Sequence, residues 1–333
     1  MKNTGKNFHK GAGYLREFLE PKQQPSLGQY DDSDPKVIAQ HLSWSRQANI
    51  GLWVTSWWGP TSLTNNNTKN VIMPHKDLGD LKVALQYETT NRIRGGVNGI
   101  SSDMDYMCAT YFDHPSYYRI NGRPVLFVYV TRVLQQEGTL ASTILAMRTA
   151  SSKCGHDVYL VGDQVFDSPP NSSQVYSPFW YLDAVNNYDV YGSMGQPSPY
   201  AGTAAVDKYH LAQQGWRTSA HASDCNYIPT ISPGYNDRGV RYSKNHPPLS
   251  RKLTSNSDFG SLFAYQLSKA KLLVDPGVDN LLLVNSFNEW HEDTQIEPAT
   301  GPTTNAPFNM TQGLYYEGYG ELYLNLLREG TLQ

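Results

Sequence analysis

Four acidic side chains, a histidine and a tryptophan fall within nine residues, Glu289 to Glu297, directly after the apolar run Leu281–Ser286. Glu289 and Glu292 are the pair with chemical potential. On a continuing strand, successive side chains alternate faces, so residues three apart point to opposite sides. If the chain turns helically near Asn288, positions i and i+3 share a face with Cβ atoms about 5–6 Å apart. Two carboxylates that close suit a retaining glycosidase, whose pair sits roughly 5–5.5 Å apart. Two acids in one apolar, aromatic-walled site also push their pKa values apart, leaving one acid and one base. The same stretch admits two other readings. Glu289, His291, Glu292 and Asp293 together resemble a metal-ligand set, although no second His- or Cys-rich cluster accompanies them, and the cluster also suits a purely structural role.

The elements that must carry this cluster are short apolar runs with polar or Gly/Pro residues behind them. Seven read as buried strands: Ile50–Ser56, Leu81–Tyr87, Pro124–Val130, Val158–Val161, Ala184–Tyr188, Tyr227–Ser232 and Leu281–Ser286. Amphipathic segments lie between them. In Ser33–Gln47, Asp34 suits an N-cap and Pro35 the first helical position, ahead of a stripe of Val37, Ile38, His41, Leu42 and Trp44. Thr139–Ser151, Ser257–Val274 and Tyr319–Arg328 read as helices in the same way. Strand–helix alternation implies parallel strands covered by helices, and the expected fold is a single-domain α/β protein, a (β/α)8 TIM barrel over residues 1–333. A doubly wound open sheet is the alternative. The eighth strand ought to precede Asp34, yet residues 1–33 hold no apolar run; the first strand is irregular or missing.

In such barrels the chemistry sits at the C-terminal strand ends. Trp57 and Trp58 follow the first run, Glu88 the second and Asp163 the fourth; Tyr188 and Asp189 end the fifth. Tyr235, Asn236 and Asp237 follow the sixth, with Arg241 soon after, and the last gives Asn288, Glu289, His291 and Glu292. Each has a plainer reading beside the functional one. Trp57 and Trp58 suit rim packing; Glu88 suits an ion pair with Arg92 or Arg94. Asp163 suits a loop cap, Tyr188 and Tyr235 suit the core, and Arg241 suits a surface charge. No strand end offers a Ser or Cys nucleophile beside a His.

The net charge of −3 and pI near 6.3 give no nucleic-acid or membrane surface, and no run approaches the roughly 18 apolar residues of a membrane span. No motif points to a cofactor or a metal. MKNTGKNFHKGAGYLREF, residues 1–18, lacks the apolar core of a signal peptide; a periplasmic or secreted role would need one, which a late-starting chain would lack. Cys108, Cys154 and Cys225 are far apart and odd in number, and read as three buried thiols. Aromatics with a polar handle dominate, 23 Tyr and 7 Trp against 10 Phe, and such rings stack on sugar faces or fill a core rim.

SFNEWHEDTQIE, residues 286–297, resembles the signature of glycoside hydrolase family 99, the endo-α-mannosidases, which reads close to FNEWHEGTQIE. Asp293 stands where the family usually has Gly. LGQYDDSDPKVI (27–38), VTSWWGP (54–60), VALQYE (83–88), RPVLFVYV (123–130), NNYDVYG (186–192) and PGYNDRGVR (233–241) follow in family order, so the resemblance covers about residues 25–330. It implies a (β/α)8 barrel and an endo-acting, retaining hydrolase of α-mannosidic linkages in an α-mannan or N-glycan-type oligo- or polysaccharide. It further implies that Glu289 deprotonates the substrate's own 2-OH, giving a 1,2-anhydro sugar, while Glu292 protonates the leaving oxygen and then serves as base for water. Tyr188 is implied to tune Glu289, Glu88 and Arg241 to hold the sugar, Trp57 and Trp58 to wall a neighbouring subsite, and His291 to sit at the site edge. The family's aromatic-rich first strand has no recognisable copy here. A family-99-like protein of polysaccharide assembly and a non-catalytic glycan-binding barrel remain as alternatives.

Overall fold

The computed structural model describes residues 19–90, 92, 96–166, 168–171, 176–194, 198–241, 244–304 and 307–331, with the side chains of 96–98 left aside. Seven parallel strands run in chain order. They are β1 (Leu52–Trp57), β2 (Lys82–Tyr87), β3 (Arg123–Val128), β4 (Tyr159–Asp163), β5 (Ala184–Asn186), β6 (Asn226–Ile228, resumed after Pro229 as Thr230–Ile231) and β7 (Leu283–Val284). Each pairs with the next, from Leu52 opposite Lys82 to Val284 opposite Ile231. The break in β6 falls at Pro229, which has no N–H to give; its carbonyl still accepts from Leu283 N at 2.9 Å.

Strictly sequential order excludes the doubly wound alternative, where the order reverses at a switch point. Leu52 and Val54 of β1 share an interior cluster with Val125, Tyr159, Ile228 and Leu283. Residues from the first and last strands meet only if the sheet curls into a barrel. No strand pairs with the outer edge of β1 among the described residues. The missing first strand was expected before Asp34. Within 19–33 the structure has only Gln24–Pro25, antiparallel to Ala299–Thr300 and off the barrel; residues 1–18 lie outside the described ones.

The outer layer includes α1 (Pro35–Gln47), α2 (Gly96–Met107), α3 (Leu140–Lys153), α4 (Gly202–His221), α5 (Ser261–Ala270) and α6 (Leu322–Thr331). α1 begins as expected: Asp34 Oδ1 accepts from Lys36 N at 2.9 Å and Pro35 takes N1, a cap worth about 1 kcal/mol. Its buried stripe holds Val37, Ile38, His41, Leu42 and Trp44. Sequence patterning missed α4, because its buried face, Val206, Tyr209, His210, Gln213, Trp216 and Ala220, mixes polar with apolar residues.

The cysteine expectation is corrected. Cys108 and Cys154 form a disulfide with Cα atoms 6.4 Å apart, Cys154 is exposed, and only Cys225 is a buried free thiol. The bond joins the C-terminal ends of α2 and α3, which pack side by side. Sequence spacing carries no trace of that neighbourhood. No helix among the described residues is long and apolar enough to cross a membrane.

Candidate active site

After β7 the chain leaves its strand in a tight turn. Glu289 N donates to Ser286 Oγ at 2.9 Å, and Thr294 N closes on Glu289 O at 3.3 Å. The base of the loop is clamped by Ser286 N to Thr294 O (2.8 Å) and Glu297 N to Phe287 O (2.8 Å). Glu289 and Glu292 both lie on this turn after β7 and act on each other electrostatically.

The two carboxyls are driven in opposite directions. Burial pushes Glu292 up to about 7, and the nearby Glu289 charge adds to that, while Arg241 opposes it. Burial acts to raise Glu289, the His291 contacts act to lower it, and the carboxyl lies below the usual range. Both the His291 backbone N–H and Nδ1 lie 3.0 Å from Glu289 Oε1. The Glu289 side chain stays 40% exposed, so it is reachable. One carboxyl is therefore ionised at neutral pH and its neighbour holds a proton over much of that range.

A third carboxyl faces them. Glu88, one residue past β2, is pushed up to about 7 chiefly by burial, against bonds from Ser56 and Gln86, with Asp163 and Glu289 adding to the rise. Gln86 Nε2 donates to it at 3.1 Å. Glu88 makes no pair with Arg92, which binds Asp103 instead; Arg94 lies outside the described residues. Tyr188 lies within electrostatic reach of all three glutamates. Burial, then Glu292, Glu289 and Glu88, keeps its phenol protonated.

Asp163 bridges three strand tips, and its hydrogen bonds among the described residues go to the tips of β3 and β5. It accepts from Val130 N (3.0 Å), Tyr188 N (2.9 Å) and Arg132 Nη1 (2.7 Å). Val130 is held at φ +47°, a strained region for a β-branched residue. Such strain is found where surrounding structure over-determines a conformation, as the tips of β3, β4 and β5 do here.

Several expectations change. Arg241 is more than a surface charge: its Nη1 lies 2.6 Å from Glu292 Oε1 and 3.2 Å from Asp237 Oδ2. Trp57 is fully buried, donating to Asn65 Oδ1 at 2.9 Å and stacked on Tyr87, so it cannot wall a subsite. Tyr235 is equally buried, against Tyr191, and offers no face to a ligand. Trp58 is 42% exposed. Asn288 turns toward the Tyr30 hydroxyl at 3.4 Å. Among the described residues no group of three or more His, Cys, Asp or Glu is arranged to hold a metal ion, and the metal reading of 289–293 finds no support.

A family model described as glycosyl hydrolase family 99 matches residues 3–159, and one described as Glycosyltransferase WbsX matches residues 99–305. Glycoprotein endo-alpha-1,2-mannosidase of Mus musculus is 26% identical over 97% of this chain and 66% of its own length. The Rattus norvegicus protein of that name is 27% identical over 90% and 61%. The model described as Glycosyltransferase WbsX covers more than half of the chain, which belongs to that family; the glycosyl hydrolase family 99 model matches just under half of it. It spans less than two thirds of the length of these curated relatives. The structure of the family 99 endo-alpha-mannosidase from Bacteroides thetaiotaomicron superposes with a TM-score of 0.67 at 22% identity, covering 92% of this chain and 81% of that one. A structure titled glycoside hydrolase-like protein superposes at 0.65 and 19% identity, covering 92% and 89%. The shared fold is the family 99 (β/α)8 barrel.

Asp293, in place of the family's usual glycine, keeps the turn's shape. It adopts φ +55°, the left-handed region that Asp tolerates better than most residues. Its carboxylate meets Arg251 at 3.1 Å, and both side chains are buried.

Sequence reasoning missed Ser56, Gln86, Tyr129 and His246. Ser56 and Gln86 face each other across β1 and β2, and their signal was a polar residue inside an apolar run just before its tip. Tyr129 packs edge-on against Tyr188, centroids 5.1 Å apart, but it lies inside the third run and reads as core. His246, 2.8 Å from Asp237 Oδ2, follows no strand and had no signal.

Proposed function

We propose that this chain is a retaining, endo-acting glycoside hydrolase that cleaves α-mannosidic linkages in a mannan or mannose-containing glycan. The observation that carries the proposal is the Glu289–Glu292 pair on one turn, one carboxyl pushed down and the other up. The relatives named endo-alpha-1,2-mannosidase support the choice of sugar and linkage.

In an α-mannoside the axial 2-OH lies trans to the leaving oxygen. Glu289 takes the 2-OH proton, O2 attacks C1, and the C1–O bond to the leaving sugar breaks as Glu292 gives that oxygen its proton. Water then attacks C1, Glu292 takes its proton, the C1–O2 bond opens, and O2 recovers a proton from Glu289. Two inversions give net retention, and no carboxylate bonds to carbon. Tyr188, within electrostatic reach of both glutamates, tunes Glu289; Glu88 and Arg241 hold the sugar, and Trp58 is the remaining candidate for a subsite wall.

Glu292→Gln should abolish release of reducing ends from an α-1,2-linked mannan while calorimetry still registers binding. Unchanged turnover in that variant would refute the assignment. A second reading, transfer from an activated sugar donor, has its own support in the match described as Glycosyltransferase WbsX, which spans both glutamates. Turnover with such a donor and none with any glycan would favour it.

A further inference from the structure

We propose that Asp237 is a positioning residue for the acid/base carboxylate: it competes with Glu292 for the Arg241 guanidinium and, backed by His246, sets how much of that positive charge Glu292 feels. This rests on the reading of Glu292 as acid and base.

A single guanidinium nitrogen, Arg241 Nη1, reaches both Glu292 Oε1 (2.6 Å) and Asp237 Oδ2 (3.2 Å). Alone, an arginine this close would hold Glu292 as the carboxylate, since opposite charges within about 4–6 Å lower an acid's pKa by 1–3 units. A general acid in that state has no proton to give. Asp237 is fully buried, so its charge is poorly screened by water and acts on both neighbours. Its effect on Glu292 is to favour the protonated form, opposing that of Arg241.

The geometry is fixed by backbone bonds and not by chance contact of long side chains. Arg241 N donates to Asp237 O at 2.8 Å, and Asn236 N donates to Glu292 O at 2.7 Å. The loop 236–241 and the catalytic turn are therefore one unit. Behind Asp237, His246 Nδ1 lies 2.8 Å from the same Oδ2, with a side chain 40% open to solvent. Among the described residues Asp237 Oδ1 is buried without a hydrogen-bond partner, and the Arg241 and His246 contacts fall on Oδ2.

Besides Arg241 and Asp237, the charged group acting on Glu292 is Glu289 from its own turn; Glu88, after β2, and Asp189, paired with Arg132 after β5, act with Glu292 on the Tyr129 phenol. The phenols of Tyr129, Tyr188, Tyr191 and Tyr235 also face Glu292, and burial keeps them neutral. Around His246, Asp189 is a second acid within electrostatic reach. The nearby Arg238 is engaged with the carbonyls of Asn309 and His246 and with Asn245. Arg241 is the only arginine or lysine that contacts Glu292 among the described residues.

The test titrates Glu292 itself by carbon NMR of ¹³C-carboxyl-labelled protein, the resonance being identified by its loss in Glu292→Gln. Asp237→Asn keeps the shape and removes the charge, and should lower the Glu292 midpoint by about one pH unit or more. His246→Ala removes a donor from Asp237 at an exposed position and should raise it. The basic limb of kcat/KM against pH should follow both shifts, since Glu292 must be protonated to act. An unmoved midpoint in Asp237→Asn overturns the proposal, and so does an unmoved one in His246→Ala should Asp237→Asn not fold. The NMR midpoint needs no turnover. A wild-type protein that shows the shifts but releases no sugar would refute the hydrolase reading alone.

Discussion

Arg251 and Asp293 form a buried ion pair at the base of the turn that carries Glu289 and Glu292, and Arg251→Met tests what that pair does. Arg251 Nη2 donates to the Asp293 carboxylate at 3.1 Å and to its carbonyl at 2.9 Å. The guanidinium also lies over the rings of Tyr319 and Tyr323, 5.0 and 5.1 Å from their centroids. Removing one partner of a buried pair strands the other charge and costs about 3–5 kcal/mol. With an unfolding entropy of about 2.1 cal/mol/K per residue, a chain of this length has ~0.7 kcal/mol/K at its midpoint. Arg251→Met should then lower Tm by about 4–7 °C. Asp293→Gly strands the arginine in turn, but relieves roughly 1 kcal/mol of left-handed strain at φ +55°. In the double variant no charge is left unpaired, and glycine fits the turn. Its loss should fall short of the sum of the single losses by at least 2 kcal/mol. Denaturant melts of the four proteins give the coupling. Additivity within about 0.5 kcal/mol would show that the pair does not act as a unit and would refute the reasoning.

His291→Ala takes a donor from Glu289 and lets its pKa rise, because the depressed value depends on that contact. As the base must be ionised, the acidic limb of kcat/KM should move to higher pH; a fixed limb would place another donor on Glu289. The Cys108–Cys154 bond closes a loop with a sequence separation of 46, for which chain entropy gives about 4 kcal/mol. Reduction should lower Tm by up to about 6 °C. Thiol titration of the denatured, unreduced protein should find one group, Cys225, and finding three would refute the bond.

The barrel was legible because its strands read as continuous apolar runs: β3, β4 and β5 are buried on both faces, while β1 and β7 are partly buried. Six of the seven were found nearly in full; the seventh, Leu281–Ser286, pairs only through Leu283–Val284. α4 was hidden because its buried face carries Tyr209, His210 and Gln213, polar side chains that a hydrophobic count does not register; the Tyr209 hydroxyl donates to Thr230 O at 3.1 Å. Glu289, Glu292, Glu88 and Tyr188 could be read from their places at strand tips. Position at a tip does not say which way a side chain turns, and for that reason Trp57 and Tyr235 were misjudged. Asp237 and Arg241 could be placed after the sixth run, but their meeting with His246 and Glu292 depends on a loop folding back over the β7 turn, a tertiary contact with no local signature.

The two family descriptions divide the chain in an informative way. The hydrolase-named match ends at residue 159, before the catalytic turn, and the transferase-named match contains it. The carboxylate pair alone serves either chemistry, since both reactions break a C1–O bond and deprotonate an incoming hydroxyl. What separates them is the leaving group. A phosphate-type group on an activated donor departs as a stable anion and needs no proton. A sugar alkoxide leaves only when protonated. An acid held at about 7 by burial and by the Glu289 charge, with Arg241 shared so that it does not fully ionise that acid, is useful to the second reaction and idle in the first. The charge arrangement around Glu292 therefore favours cleavage of a glycosidic bond.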